Sequence, residues 1–216
     1  MISRDAVDEP DRLPVIGVIG AVASGKSTVA RLMAEDGGRL VDADRIGHEV
    51  LEMPEIKRQL RGEFGDEVFD STGTLSREAL GRLVFGKGGR LAELNAIVHP
   101  VILDIMDRRI REAGEAQFVV LDAALLIEKN LHEAWCDALV FVHAEENERL
   151  ERARQSRGWD AQQLSQRDAA QSPPETKRRL ADFVIDNSDT RRQLEDRVRA
   201  LMGQIRTRFS LSTRHG

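Results

Sequence analysis

Short apolar runs punctuate an otherwise polar chain at residues 15–19, 39–41, 118–121, 138–142 and 183–185. Each is rich in Val, Ile, Leu or Phe, and several end at Asp or Gly, which predicts strands. The segments between them carry helical spacing, so β and α elements alternate and a mostly parallel sheet follows. Near-continuous apolar runs fit strands buried on both faces. The spacing is uneven. Between residues 42 and 118 roughly seventy-five residues pass without a convincing strand, far more than a simple crossover needs. That region is strongly helical and reads as an insertion over residues 50–114, set into a core formed by 14–49 and 115–216. A second helical excursion, residues 145–181, is rich in Arg and Gln and reads as a lid within that core. The C-terminal "DTRRQLEDRVRALMGQIRTRF" predicts one long amphipathic helix with Leu194, Val198, Leu201 and Ile205 on its apolar stripe.

Composition narrows the picture. The 216 residues suit one open-sheet domain with an insertion and are enough to bury a sizeable core. Lys and Arg number 32 against 37 Asp and Glu, a formal net charge of −5. A mildly acidic chain argues against broad electrostatic binding to nucleic acid or anionic membrane. The single cysteine, Cys136, leaves no intrachain disulfide and no multi-cysteine metal site, and suits a reducing compartment. No apolar run is long enough to span a bilayer, and residues 1–13 lack a signal-peptide core, so they read as a frayed tail on a cytoplasmic protein. The pattern shows no internal repeat or low-complexity segment, and it fits a monomer or weak homo-oligomer.

The candidate chemistry begins at "GAVASGKST", residues 20–28. Gly20, four residues, then Gly25-Lys26-Ser27 matches the P-loop spacing, with a predicted strand before it and a predicted helix after it. Polyphosphate needs several backbone N–H groups turned inward. A tight loop and the unpaired donors of a helix N-terminus supply them, so residues Gly20, Ala21, Val22, Ala23, Ser24, Gly25, Lys26, Ser27 and Thr28 form the candidate nucleotide cradle. Lys26 would place an ammonium between the β- and γ-phosphates, and Ser27 would put its hydroxyl on Mg²⁺. Ala21 and Ala23 fall at permissive positions, where a methyl is tolerated while φ stays negative.

Carboxylates stand at the ends of two further predicted strands, where an open α/β sheet borders its ligand crevice. Asp42-Ala43-Asp44 follows the second run. Two acids there can orient an acceptor hydroxyl, take its proton or hold Mg²⁺ through water; one of them can also cap the next helix. Asp122 closes the third run as a Mg²⁺-side carboxylate or as a turn residue.

With those residues in view, the chain resembles the dephospho-coenzyme A kinases. "GxxxxGKST", "VDADxIxxEV", "LNAIVHPVI", "DAALLIE" and "ADFVIDNS" occur in that family's order and spacing, over about residues 15–190. The resemblance implies a P-loop kinase-type three-layer α/β sandwich of about five parallel strands, with a helical acceptor-binding insertion and a mobile lid. It implies transfer of the ATP γ-phosphoryl group to the ribose 3′-hydroxyl of dephospho-coenzyme A, with Mg²⁺. Residue by residue, Asp44 matches the family's catalytic base, and Lys26 and Ser27 match its phosphate and Mg²⁺ ligands. His99-Pro100 matches the pair beside the acceptor, although Pro also suits the first turn of a helix. Leu125, Leu126 and Glu128 match an element that shapes the acceptor site. Arg149, Arg152, Arg154 and Arg157 fall in the lid, with Arg152 the candidate for transfer, and any of them can equally be a solvated helix charge. Asn187 matches the adenine-side loop, and is also an ordinary turn residue.

This chain departs from the family where Ala21 and Ala23 replace glycines and where Ala124 replaces a proline. Two prolines, in "SPPETK", stand where the lid returns to the core. Ala124 bears on the acceptor side, so a kinase of another nucleotide or small-molecule hydroxyl is the alternative. A non-catalytic nucleotide-binding regulatory module is the alternative of another class, although no guanine-type Asn-Lys-x-Asp motif is present.

Overall fold

The computed structural model describes residues 12–85 and 89–212. Of the expected tail, residues 1–11 lie outside the described residues. Arg12 donates to Asp137 Oδ1 at 2.6 Å, and Asp137 Oδ2 accepts from the Val15 N–H at 2.7 Å, which ties this end of the first strand down.

The five apolar runs each lie in a strand: β1 (Val15–Gly20), β2 (Gly38–Asp42), β3 (Phe118–Asp122), β4 (Ala138–His143) and β5 (Phe183–Asp186). The helices are α1 (Lys26–Glu35), α2 (Ala43–Glu52), α3 (Pro54–Phe64), α4 (Arg77–Phe85), α5 (Leu91–Arg111), α6 (Leu131–Trp135), α7 (Glu146–Arg157), α8 (Ala161–Ala169), α9 (Pro174–Leu180) and α10 (Arg191–Phe209). All neighbouring strands are parallel, in the order β2-β3-β1-β4-β5. Every residue of β1, β3 and most of β4 is buried, as central strands covered on both faces require. Register sets the functional end of the sheet. Gly20 pairs with Val142, Val18 with Asp122, and Asp42 with Asp122, so two carboxylates and the start of the loop share the carboxyl ends of β1, β2 and β3. Gly17 must lack a side chain, because a Cβ there would sit 2.7 Å from Leu139 and 2.8 Å from Cys136 Sγ.

The core packs α1 and α10 on the sheet. Val29, Ala30 and Met33 of α1 meet Ile16, Val18, Val140 and Ile185, and the Leu194, Val198, Leu201 and Ile205 stripe closes over them together with Met202. Thr190 and Gln193 form a reciprocal cap that starts α10 at Arg191. The paired prolines open α9: Pro173 caps it and Pro174 takes its first position, where a missing N–H removes nothing.

Two compact units divide the chain, one of residues 12–42 with 110–212 and the other Ala43–Arg109. Among its described residues the second is built of helices and their connections, with a 3-10 turn at Asp66–Val68 and a bridge between Phe69 and Leu75. It starts at Ala43 rather than at residue 50, because Ile46 and Val50 of α2 are buried in the same unit as Ile56, Leu60 and Phe64 of α3. Glu49 of α2 is ion-paired with Arg109 of α5. Pro100 lies inside α5, so His99-Pro100 does not mark a helix start. Among the described residues no helix is long and apolar enough to cross a membrane.

Candidate functional site

The loop from Gly20 to Gly25 turns off the end of β1 and delivers α1. Its glycines are required by space. A Cβ on Gly20 would stand 2.6 Å from the Val142 carbonyl oxygen and 2.7 Å from Ser24 Oγ. Gly25 has φ +91°, and a Cβ there would meet Asn187 Nδ2 at 2.2 Å. The N–H groups of Ala23, Gly25, Lys26 and Ser27 donate to no protein acceptor among the described residues. A helix N-terminus with several unpaired donors is an anion site by construction.

One expectation is corrected here. Ala21 keeps negative φ, but Ala23 has φ +60°, in the left-handed region that glycine favours. The condition under which a methyl is harmless therefore holds at Ala21 and fails at Ala23.

Lys26 turns its Nζ back onto the loop, 2.8 Å from the Ala21 carbonyl oxygen and 3.3 Å from that of Gly20. Burial lowers its pKa to about 8; Lys177 and Arg157 push the same way, against Asp122 and Asp168. Asp122 is buried at the end of β3, and its charge reaches the P-loop ammonium. Ser27 is exposed on the first turn of α1. Ser27 and Asp122 are oxygen donors of the kind Mg²⁺ takes beside nucleotide phosphates, so the residues present fit that ion. No group of three or more His, Cys, Asp or Glu among the described residues forms a metal cage of its own.

The four arginines of residues 145–157 have different surroundings. Arg149 is buried against Asp168, whose Oδ1 also accepts from the Val22 N–H of the loop at 3.2 Å. Arg152 donates to the Asn187 carbonyl at 2.6 Å and lies 3.4 Å from the Ser24 carbonyl oxygen. Arg154 is exposed. Arg157 stacks over Trp159 at 4.6 Å. Asn187, buried after β5, donates its amide to the Ser24 carbonyl at 2.8 Å. Asn187 and Arg152 thus brace the phosphate loop from behind.

After β3, Ala124 and Leu125 are exposed, while Leu126 is buried. Glu128 accepts from the Ser172 N–H at 2.8 Å and pairs with Lys177 at 3.0 Å. Burial raises its carboxyl pKa, but these hydrogen bonds and the lysine outweigh that and hold it below the ordinary range. Asp44 is exposed on the first turn of α2, and His99 is half-buried on α5; both belong to the helical unit. Sequence reasoning missed Lys177 and Asp168. A lysine in "ETKRRL" and an aspartate in "QRDAAQ" look like solvated helix charges, and only the fold shows that each turns inward.

A parallel sheet whose central strand opens a glycine-bounded loop, with a lysine at the head of the next helix, places the chain among the P-loop nucleotide-binding α/β proteins. The family model of dephospho-CoA kinase matches residues 14–193, and the chain belongs to that family. It is 37% identical to the dephospho-CoA kinase of Thermobifida fusca over 196 residues, which is 90% of this chain and 97% of that one. The structure of TT1252 from Thermus thermophilus aligns with TM-score 0.76 at 31% identity, covering 90% of this chain and 99% of the other. A dephospho-CoA kinase from Campylobacter jejuni shares the fold, with TM-score 0.63 at 21% identity over 88% of this chain and 96% of its own.

Proposed function

We propose that this chain transfers the γ-phosphoryl group of ATP to the ribose 3′-hydroxyl of dephospho-coenzyme A, giving coenzyme A and ADP, the last step of coenzyme A synthesis. The observation that carries the reading is an intact phosphate cradle, Gly20 to Thr28, in a chain matched by the dephospho-CoA kinase model from residue 14 to 193.

Each residue then has work set by its chemistry. The free N–H groups of the loop and the head of α1 bind the triphosphate, and Lys26 leaves the Ala21 carbonyl for the β- and γ-oxygens. Ser27 and Asp122 would hold Mg²⁺, which supplies neutralisation of phosphate charge when bound. Asp44 takes the proton of the acceptor hydroxyl, a job a ribose hydroxyl needs because it is a weak nucleophile. His99, the exposed Leu125 and Glu128 serve the acceptor side, and Asn187 the adenine side. Arg152 stabilises charge on the transferring group once it leaves the carbonyls of Asn187 and Ser24.

A coupled ADP-release assay with Mg·ATP and a panel of dephospho-coenzyme A, adenosine and common nucleotides tests this reading, with mass spectrometry locating the phosphate. Turnover is expected with dephospho-coenzyme A and is lost in Lys26→Ala while the fold is kept. Faster turnover on another acceptor replaces the substrate, and ATP turnover indifferent to any acceptor replaces the function.

A further inference from the structure

Lys177 is the most deeply buried charge in the described core unit, with a side chain 2% exposed. Its Nζ has three acceptors: Gln171 Oε1 at 2.8 Å, Glu128 Oε1 at 3.0 Å and the Gly20 carbonyl oxygen at 3.4 Å. That satisfies all three ammonium donors. The Gly20 carbonyl is the same one that lies 3.3 Å from Lys26 Nζ. Two ammonium groups therefore share one backbone oxygen and stand no more than about 7 Å apart. Lys26, Lys177, Gly20 and Glu128 also line one hollow with Ala123 and Ala124. Into this setting Glu128 brings a second oxygen, Oε2, that is buried and accepts no hydrogen bond among the described residues.

A buried carboxylate with an unused oxygen seeks a cation. Two are at hand, and one of them, Lys26, has to be free for phosphate. We propose that Lys177 is a positioning residue of the phosphate site: by neutralising Glu128 and anchoring the Gly20 carbonyl, it keeps Lys26 from being captured by Glu128. The inference rests on the reading that the loop takes the ATP triphosphate. It assigns Lys177 no contact with the reacting atoms. Its effect passes through Lys26, and removing Lys177 lets Lys26 turn from the loop carbonyls to Glu128, where a desolvated ion pair would hold it away from the nucleotide.

The test is a rescue measured as nucleotide affinity, kept apart from turnover because Glu128 is also an acceptor-side candidate. Titration calorimetry with Mg·ATP is run on the whole chain as native, Lys177→Met, Lys177→Arg and the double variant Lys177→Met with Glu128→Gln. Lys177→Met is expected to weaken ATP binding by about thirty-fold, in the range measured when one member of a buried charge pair is removed. Lys177→Arg keeps the mask and restores affinity. The double variant removes the trap along with the mask and is expected to bind within about threefold of native, a coupling between neighbours that additivity forbids. A residue that merely fills space would give the opposite order, since the second change also strips the Ser172 N–H of a charged acceptor. Native-like binding by Lys177→Met, or a double variant as weak as the single one, overturns the assignment. Where Lys177→Met melts before ligand is added, Lys177→Gln takes its place with the same deciding outcomes. A native chain that binds no Mg·ATP overturns the functional reading and this inference together, whereas native binding without rescue overturns this inference alone.

Discussion

Ala21 and Ala23 are chemically identical, two residues apart in one loop, and predicted to respond to glycine with opposite signs. Ala23 sits at φ +60°, where a Cβ crowds the following carbonyl at a cost of about 1–2 kcal/mol. Ala23→Gly removes that strain. Against it, glycine widens the unfolded ensemble and costs about 0.4–1 kcal/mol. Glycine also gives up part of a half-buried methyl packed on the Val22, Ala153 and Leu164 cluster, about 0.3 kcal/mol, so the net is a gain of about 0.5 kcal/mol. Ala21 has negative φ and is 8% exposed, so Ala21→Gly carries the same unfolded-state cost with no strain to relieve. It also loses a buried methyl worth about 0.8 kcal/mol, for a net loss of about 1.5 kcal/mol. For a chain of this length one kcal/mol moves the melting midpoint by about 2–4 °C. Calorimetric scans of the two variants should therefore separate by about 4–8 °C, Ala23→Gly at or above native and Ala21→Gly below it. Equal shifts in the two variants would refute the argument from backbone angle and return both alanines to the same permissive class.

With Asp44 as the proposed base, Asp44→Asn should lower kcat by about 10²-fold or more with ATP affinity kept; a loss of only a few-fold in steady-state assays removes Asp44 as base. The Cys136 thiol is pushed up to about 12 by burial and by the neighbouring Asp137 charge, against the opposing Arg12. A disulfide reagent at pH 8 should accordingly label this half-buried thiol far more slowly than a free thiol of ordinary pKa, and rapid labelling of native protein contradicts the raised value. Glu128 is held below its ordinary carboxylate range in the fold, so the stability it contributes is complete above the unfolded value, near 4.5, and is lost as pH falls through the lower folded value. Urea midpoints at pH 7 and pH 4 should thus differ less in Glu128→Gln than in the native chain, and an unchanged difference would show that the carboxylate is not protonated on unfolding.

The strands were legible because a central parallel strand must be apolar at nearly every position, and so β1 and β3 stand out from a charged chain with their ends in place. The cradle was legible for a related reason. Gly20 is demanded by the Val142 carbonyl oxygen, 2.6 Å from where a Cβ would stand, and Gly25 by φ +91° together with the Asn187 amide, and such demands leave fixed residue types at fixed spacing. What the sequence hid are the inward-facing charges. Arg149 and Asp168, Lys177 and Glu128 lie 19 and 49 residues apart, on elements that tertiary packing alone brings together. Helix amphipathicity marks apolar residues as inward; it cannot mark a lysine whose partner comes from another element. Asn187 shows the same limit in a residue that was singled out. The resemblance implies an adenine-side loop and the position after a strand a turn, and neither discloses that its amide meets the carbonyl of Ser24, 163 positions away. That contact explains why Gly25 can carry no Cβ: the brace occupies the space a side chain would need. The loop's shape is therefore held in part from outside its own nine residues, by Asn187 and by Arg152, Asp168 and Lys177 of the 145–181 segment. Residues 145–181 hold the loop through hydrogen bonds at Val22 and Gly20, so a displacement of Asp168 or Lys177 would change the loop as well.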